Sequence, residues 1–138
     1  MSLVLDTSVV IALLARDDPH HTRCVTAVER LREDLVLPLL TLVEIDYWLR
    51  RAGAVEAWLR LTAEIEAGSY RLHTPSPAEL ARAAALEAEY AELRLGVVDA
   101  SVVAACESLG ETKVATLDRR HFGVVRPRHC EALALLPE

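Results

Sequence analysis

One carboxylate set inside the first apolar run constrains this chain more than any other feature. Leu3-Val4-Leu5 leads into Asp6, and after Thr7-Ser8 the apolar run resumes as Val9-Val10-Ile11-Ala12-Leu13-Leu14. A short apolar segment reads as a buried strand, and the longer run behind the polar break reads as a buried helix. Asp6 therefore stands where a central strand hands over to a helix. In an open α/β sheet, that crevice at the carboxyl ends of the strands is where ligands bind. An ionised carboxylate among so many apolar neighbours is costly unless a cation pairs with it. No Lys or Arg occurs before Arg16.

The rest of the chain alternates strand and helix signals. Apolar positions at helical spacing predict a helix over His20 to Glu33, and Leu35-Val36-Leu37-Pro38 reads as a second buried strand. Helices are expected over Leu40 to Arg51, ended by Gly53, and over Ala54 to Ala67, ended by Gly68. Tyr70 to His73 is a third strand. Ser76-Pro77-Ala78-Glu79 is a capping box with proline at the first helical position, opening an Ala-rich helix expected to run to about Leu95. Val97 to Leu109 is the next helix, Lys113 to Leu117 a strand, and Ala132 to Leu136 a closing edge strand. This alternation implies an α/β protein: a mostly parallel sheet of about five strands with helices on both faces.

At 138 residues, a single domain over 1–138 with a proper core is the simplest expectation. A net charge of −6 argues against broad attraction to nucleic acid or an anionic membrane, though a local basic patch remains compatible with it. Cys24, Cys106 and Cys130 are too scattered for a zinc motif and odd in number, which fits a reducing, cytoplasmic setting. Val9 to Leu14 is too short to span a bilayer and follows no basic segment, so no membrane association is expected.

Three more acids share the setting of Asp6. Glu44 lies in Leu39-Leu40-Thr41-Leu42-Val43-Glu44-Ile45, Asp99 in Gly96-Val97-Val98-Asp99-Ala100, and Asp118 directly behind Thr116-Leu117. All four interrupt apolar stretches without a basic residue on the matching face. A plainer reading stands beside this. Asp6, Asp99 and Asp118 fall near helix starts, where aspartate caps, and Thr41-x-x-Glu44 is itself a capping-box pattern. Taken together, four acids at successive βα junctions point into one crevice. There they would repel one another unless cations intervened. All-oxygen ligation suits Mg²⁺, with Mn²⁺ as the alternative. Two such ions about 4 Å apart would activate a water and stabilise the leaving oxygen of a phosphodiester.

These residues resemble the PIN domain family, in particular its VapC-type ribonuclease toxins from toxin–antitoxin pairs. The resemblance runs through Leu5-Asp6-Thr7-Ser8, Glu44, Gly96-x-x-Asp99-Ala100 and Thr116-Leu117-Asp118-Arg119-Arg120-His121-Phe122. It implies an α/β/α sandwich and a divalent ion held mainly by Asp6 and Asp99, with Glu44 and Asp118 completing the acidic site. Ser8 and Thr116 stand where the family places small hydroxyl residues that orient the acids or bound water. The resemblance further implies RNA cleavage, a homodimer and inhibition by an antitoxin protein.

Lys113, Arg119, Arg120, Arg126 and Arg128 give the segment around Asp118 a positive balance that suits RNA phosphates, Arg119 and Arg120 above all. The same arginines would also serve merely to solvate a loop. His121 stands beside Asp118 and within reach of a substrate. His20-His21-x-x-Cys24 lacks a fourth metal ligand and reads better as a solvated helix end. Trp48 and Trp58 read as core or dimer contacts. Against the toxin reading stand a non-cleaving RNA-binding module, a housekeeping nuclease without an antitoxin, and a phosphatase using Asp6 as nucleophile. The last needs a general-acid Asp where this chain has Ser8.

Overall fold

The computed structural model describes residues 1–138. Five strands, β1 (Ser2–Leu5), β2 (Asp34–Pro38), β3 (Arg71–His73), β4 (Lys113–Ala115) and β5 (Ala134–Leu136), form one sheet in the order β3-β2-β1-β4-β5. Every pairing is parallel. Seven α-helices connect them: α1 (Thr7–Leu14), α2 (His21–Leu31), α3 (Thr41–Arg51), α4 (Val55–Glu66), α5 (Pro77–Glu89), α6 (Val97–Leu109) and the single turn α7 (Arg119–Phe122). No helix is long and apolar enough to cross a membrane.

Side chains alternate across the central strand and so divide the core in two. Leu3 and Leu5 face a layer built from α1 to α4, where Val9, Val10, Ile45 and Leu61 are buried. Val4 faces the opposite layer with Val36 and Val114, against Ala83 and Leu86 of α5, Val102 and Val103 of α6, and Phe122 of α7. This is the three-layer α/β/α sandwich expected from the strand–helix alternation. Because β1 is central it is buried on both faces, which is why Leu3-Val4-Leu5 is an unbroken apolar run rather than an alternating one.

The Ala-rich helix is shorter than its composition suggests. It starts as expected, with Ser76 Oγ accepting the Glu79 N–H at 3.1 Å and Pro77 in the first turn, but it ends at Glu89. A 3₁₀ turn over Ala91–Leu93 follows, and Arg94 adopts a left-handed backbone (φ 56°) that no helix can continue. The cause lies in tertiary contacts: the Tyr90 hydroxyl accepts the Arg126 N–H at 2.9 Å, tying that corner to the C-terminal segment. The strand expected to reach Leu117 stops at Ala115, leaving Thr116, Leu117 and Asp118 as a loop at the carboxyl edge of the sheet.

Three half-buried carboxylates away from that edge have cationic or imidazole partners. Glu107 receives two hydrogen bonds from the Arg82 guanidinium, at 2.8 and 3.0 Å, which clamps α6 to α5. Glu33 pairs with Lys113, and Glu79 with His73 at 2.8 Å.

Candidate active site

At the carboxyl edge the acids gather without Lys or Arg. Asp6, Glu44, Asp99 and Asp118 line one open cleft of about 330 Å³, with Ile11 and Trp48 as its apolar wall, and no Lys or Arg pairs with any of the four. The fold brings them together from distant places: the end of β1, the first turn of α3, the first turn of α6 and the loop after β4. Leu5 pairs with Ala115 in the sheet, and the Asp6 N–H donates to the Ala115 carbonyl at 2.9 Å, so Asp6 and Thr116 leave the sheet side by side.

Two hydroxyls fix the Asp6 carboxylate. Ser8 Oγ accepts the Leu117 N–H at 2.9 Å, and Thr116 Oγ1 accepts the Asp118 N–H at 3.0 Å. With an acceptor role already filled by backbone, each hydroxyl turns its proton to Asp6 Oδ2, at 2.9 Å from Ser8 and 2.8 Å from Thr116. Both bonds converge on the same oxygen and leave Oδ1 free. Although Asp6 occupies the cap position of α1, its side chain makes no capping bond to that helix.

Glu44 does not close the capping box that Thr41-x-x-Glu44 suggested. Thr41 Oγ1 instead donates to the Pro38 carbonyl at 2.7 Å, and Glu44 Oε1 accepts a 2.8 Å bond from Thr7 Oγ1. Thr7 is a positioning contact that sequence reasoning overlooked; its place inside Asp6-Thr7-Ser8 was the available signal. Asp118 does cap, accepting the His121 N–H on Oδ1 at 3.0 Å, while its Oδ2 faces the cleft.

His121 is more central than its sequence position suggested. Its Nδ1 lies 2.9 Å from Asp99 Oδ2 and 2.9 Å from Asp118 Oδ2, while Nε2 lies 3.2 Å from the Leu93 carbonyl oxygen. The Nδ1 atom is fully buried yet makes no in-line hydrogen bond. The ligand atoms of Asp99, Asp118 and His121 all lie within 4.8 Å of one another, a grouping able to hold a metal ion.

The sequence profile of the PIN domain matches residues 3–126, nearly the whole span that builds the sheet and this cleft. The chain belongs to the PIN domain family. It is 29% identical over 125 residues to "Ribonuclease VapC26" of Mycobacterium tuberculosis, covering 91% of this chain and 93% of that protein. The fold is similar to the crystal structure of Mycobacterium tuberculosis VapC20, described as a sarcin-ricin loop cleaving toxin. That match has a TM-score of 0.77 at 18% identity over 85% of this chain and 90% of the other. It is also similar to VapBC2 of Rickettsia felis bound to a promoter DNA fragment, with a TM-score of 0.68 at 12% identity over 98% and 97% of the two chains.

Burial and mutual repulsion dominate the electrostatics of this PIN domain's cleft. Loss of solvent raises the Asp6 carboxyl above its ordinary range, opposed by the hydroxyls of Thr116 and Ser8 and the adjacent Thr7 backbone and reinforced by Glu44. Asp99 is pushed up to about 6, first by burial and then by the charge of Asp6, with His121 opposing and Asp118 and Glu44 adding to the rise. A carboxyl that binds its proton more tightly in the folded state stabilises the fold at low pH. That contribution is lost as pH rises from the ordinary aspartate value through about 6. In chelator-treated protein, Asp99→Asn is therefore expected to melt like the parent near pH 4. By pH 7 it should be more stable by about 1–2 kcal/mol, after allowance for solvent screening. Thermal melts across that range check it; a gap that does not widen with pH refutes it.

The basic segment divides on inspection. Lys113 begins β4, at the far end of the sheet, and is held by Glu33. The Arg128 N–H donates to Glu107, eight residues along α6 from Asp99 and so about 12 Å away. The Arg119 guanidinium donates to the Pro137 carbonyl at 2.9 Å and that of Arg126 to the Gly123 carbonyl at 2.9 Å. Arg120 is exposed and has no such tie. Trp58 is half-buried against the core, whereas Trp48 is 51% exposed and stacks edge-on against Tyr47 at the cleft mouth.

Proposed function

We propose that this PIN domain is a metal-dependent endoribonuclease acting as the toxin of a VapBC-type pair. The observation that carries the reading is Asp6, the only fully buried acid of the chain, which no Lys or Arg pairs and which shares one cleft with Glu44, Asp99 and Asp118. A pure binding module gains nothing from uncompensated buried charge. The residues fit a hard divalent cation, because the donors are carboxylates with free oxygens and the one buried nitrogen among them lacks a hydrogen-bond partner. Asp6, through Oδ1, and Asp99 would hold it, with Glu44 and Asp118 completing the set. Bound there, Mg²⁺ or Mn²⁺ supplies the Lewis acidity that makes water a nucleophile and steadies the departing oxygen of a phosphodiester.

The chain's own groups do the rest. Ser8 and Thr116 hold the Asp6 plane so that Oδ1 faces the cleft. Thr7 fixes Glu44 through one oxygen and leaves the other to orient water. Arg120, the untied cation beside the site, receives a backbone phosphate of the RNA. The exposed apolar residues Val43, Tyr47, Trp48, Val55 and Leu59 of α3 and α4 offer a face for protein partners, the second copy of a homodimer and the antitoxin. The named relatives support this reading, a ribonuclease and a sarcin-ricin loop cleaving toxin among them.

Incubating a mixed RNA pool with the purified protein should give discrete fragments with Mg²⁺ or Mn²⁺ and none with chelator. RNA binding without cleavage in either ion defeats the nuclease reading. Arg120→Ala is expected to weaken RNA binding and lower the slope of log affinity against log salt by about one phosphate contact, while Arg119→Ala does less. Binding isotherms at several salt concentrations check this; equal effects of the two substitutions would remove the distinction.

A further inference from the structure

The carboxylate-only site misses one donor. The Leu93 carbonyl can only accept, so the 3.2 Å contact with His121 Nε2 assigns the ring proton to that nitrogen. Nδ1 is then left with its lone pair, buried, between two carboxylate oxygens each 2.9 Å away. Three electron-rich atoms do not gather at that distance without a cation among them. A proton on Nδ1 would pair electrostatically with both oxygens but, out of line with each, would make a good hydrogen bond to neither, whereas a metal ion meets all three donors.

The spacing itself is informative. Adjacent ligands around an octahedral ion, each about 2.1 Å from it, stand about 3 Å apart. The contacts from Nδ1 to Asp99 Oδ2 and to Asp118 Oδ2 both have that length. Metal-binding imidazoles also carry a recurrent signature, the second ring N–H donated to a backbone carbonyl, which fixes the tautomer and the ring plane. Leu93, at the end of the 3₁₀ turn that cuts the Ala-rich helix short, supplies that carbonyl. His121 itself is presented by α7, which Asp118 caps, so the nitrogen and one oxygen donor move as a unit.

Building on the metal-site reading above, we propose that His121 Nδ1 is a direct metal ligand, forming with Asp99 and Asp118 a mixed nitrogen–oxygen site that favours Mn²⁺ over Mg²⁺. Imidazole is a good donor to first-row transition ions and a poor one to Mg²⁺, which keeps oxygen ligands and water. Removing the nitrogen should therefore weaken the two ions unequally.

The test is pulsed electron paramagnetic resonance on the full chain loaded with Mn²⁺, which detects a coordinated ¹⁴N directly and requires no turnover. The unmodified protein is expected to show ¹⁴N modulation, and His121→Gln, checked for folding by its melting temperature, is expected to lose it. Calorimetric titration should then show Mn²⁺ binding weakened about 10-fold or more in His121→Gln, with Mg²⁺ binding changed less than about 3-fold. Bound Mn²⁺ without ¹⁴N modulation in the unmodified protein overturns the nitrogen ligand and leaves the carboxylate site standing. Equal weakening of both ions overturns the claimed preference. If no Mn²⁺ binds at all, the underlying metal-site reading falls with it.

Discussion

Asp6→Asn protein is expected to lose RNA cleavage by about 10²–10³-fold or more while melting no lower than the parent. The loss follows from what Asp6 contributes: a fixed negative oxygen aimed into the cleft, whose removal costs what other positioned electrostatic groups cost at reacting centres. The unchanged stability follows from the same burial. Asp6 is only 3% exposed and is raised in pKa chiefly by desolvation, so its charged form works against the fold at neutral pH. Asparagine keeps the shape, and its carbonyl oxygen can still accept from Ser8 and Thr116, while the charge disappears. An increase in stability is the expected sign in metal-free protein. Cleavage assays and thermal melts on the same preparation read both halves. Parent-like cleavage would remove Asp6 from the chemistry, and a collapse of the melting temperature would make it a structural residue.

Phe122→Ala should have the largest effect on stability. Phe122 is 1% exposed, packs in the layer that includes Val4, Val114 and Val103, and anchors a helix of only four residues. So short a helix has almost no stability of its own. Removing the ring is expected to cost about 3–5 kcal/mol by urea denaturation. It should also depress cleavage at temperatures where the protein remains folded, since Asp118 and His121 lose their footing. Val124→Ala, at a residue 50% exposed two positions later, is the control and should stay within about 0.5 kcal/mol. A Phe122→Ala cost below about 1.5 kcal/mol would mean that α7 is held by its cap and hydrogen bonds instead.

The fold was legible because its strongest signals are chemical rather than statistical. Leu3-Val4-Leu5 is apolar throughout because the strand is covered on both faces, and a run of that kind admits few other readings. The Ala-rich helix was misjudged at its C-terminus, where propensity favours continuation but Arg94 turns left-handed and Tyr90 binds the C-terminal segment. No local pattern encodes such a contact across 36 residues. Much the same limit applied at the cleft. The setting of each acid among apolar residues could be read one at a time, so all four were singled out, and the cleft brings them together. Thr7 and His121 were undervalued because their partners, Glu44 and Asp99, are distant in sequence. Lys113 was misplaced because charge counts along a segment ignore which end of a strand each residue occupies.

The central strand is made first and completed late. Ser2–Leu5 needs β2 on one side and β4 on the other, and its β4 partners are Val114 and Ala115. At roughly 5–20 residues per second, translation leaves the second edge of β1 without its neighbour for about 5–20 s. During that interval a mostly apolar strand has an open edge, the kind of surface that invites aggregation. Thr116, Asp118 and His121 emerge in the same late stretch, so Asp6 acquires its hydroxyl partner and its acidic and imidazole neighbours only after β4 has docked. Until that final pairing is made, the cleft on which the proposed nuclease reading rests is incomplete.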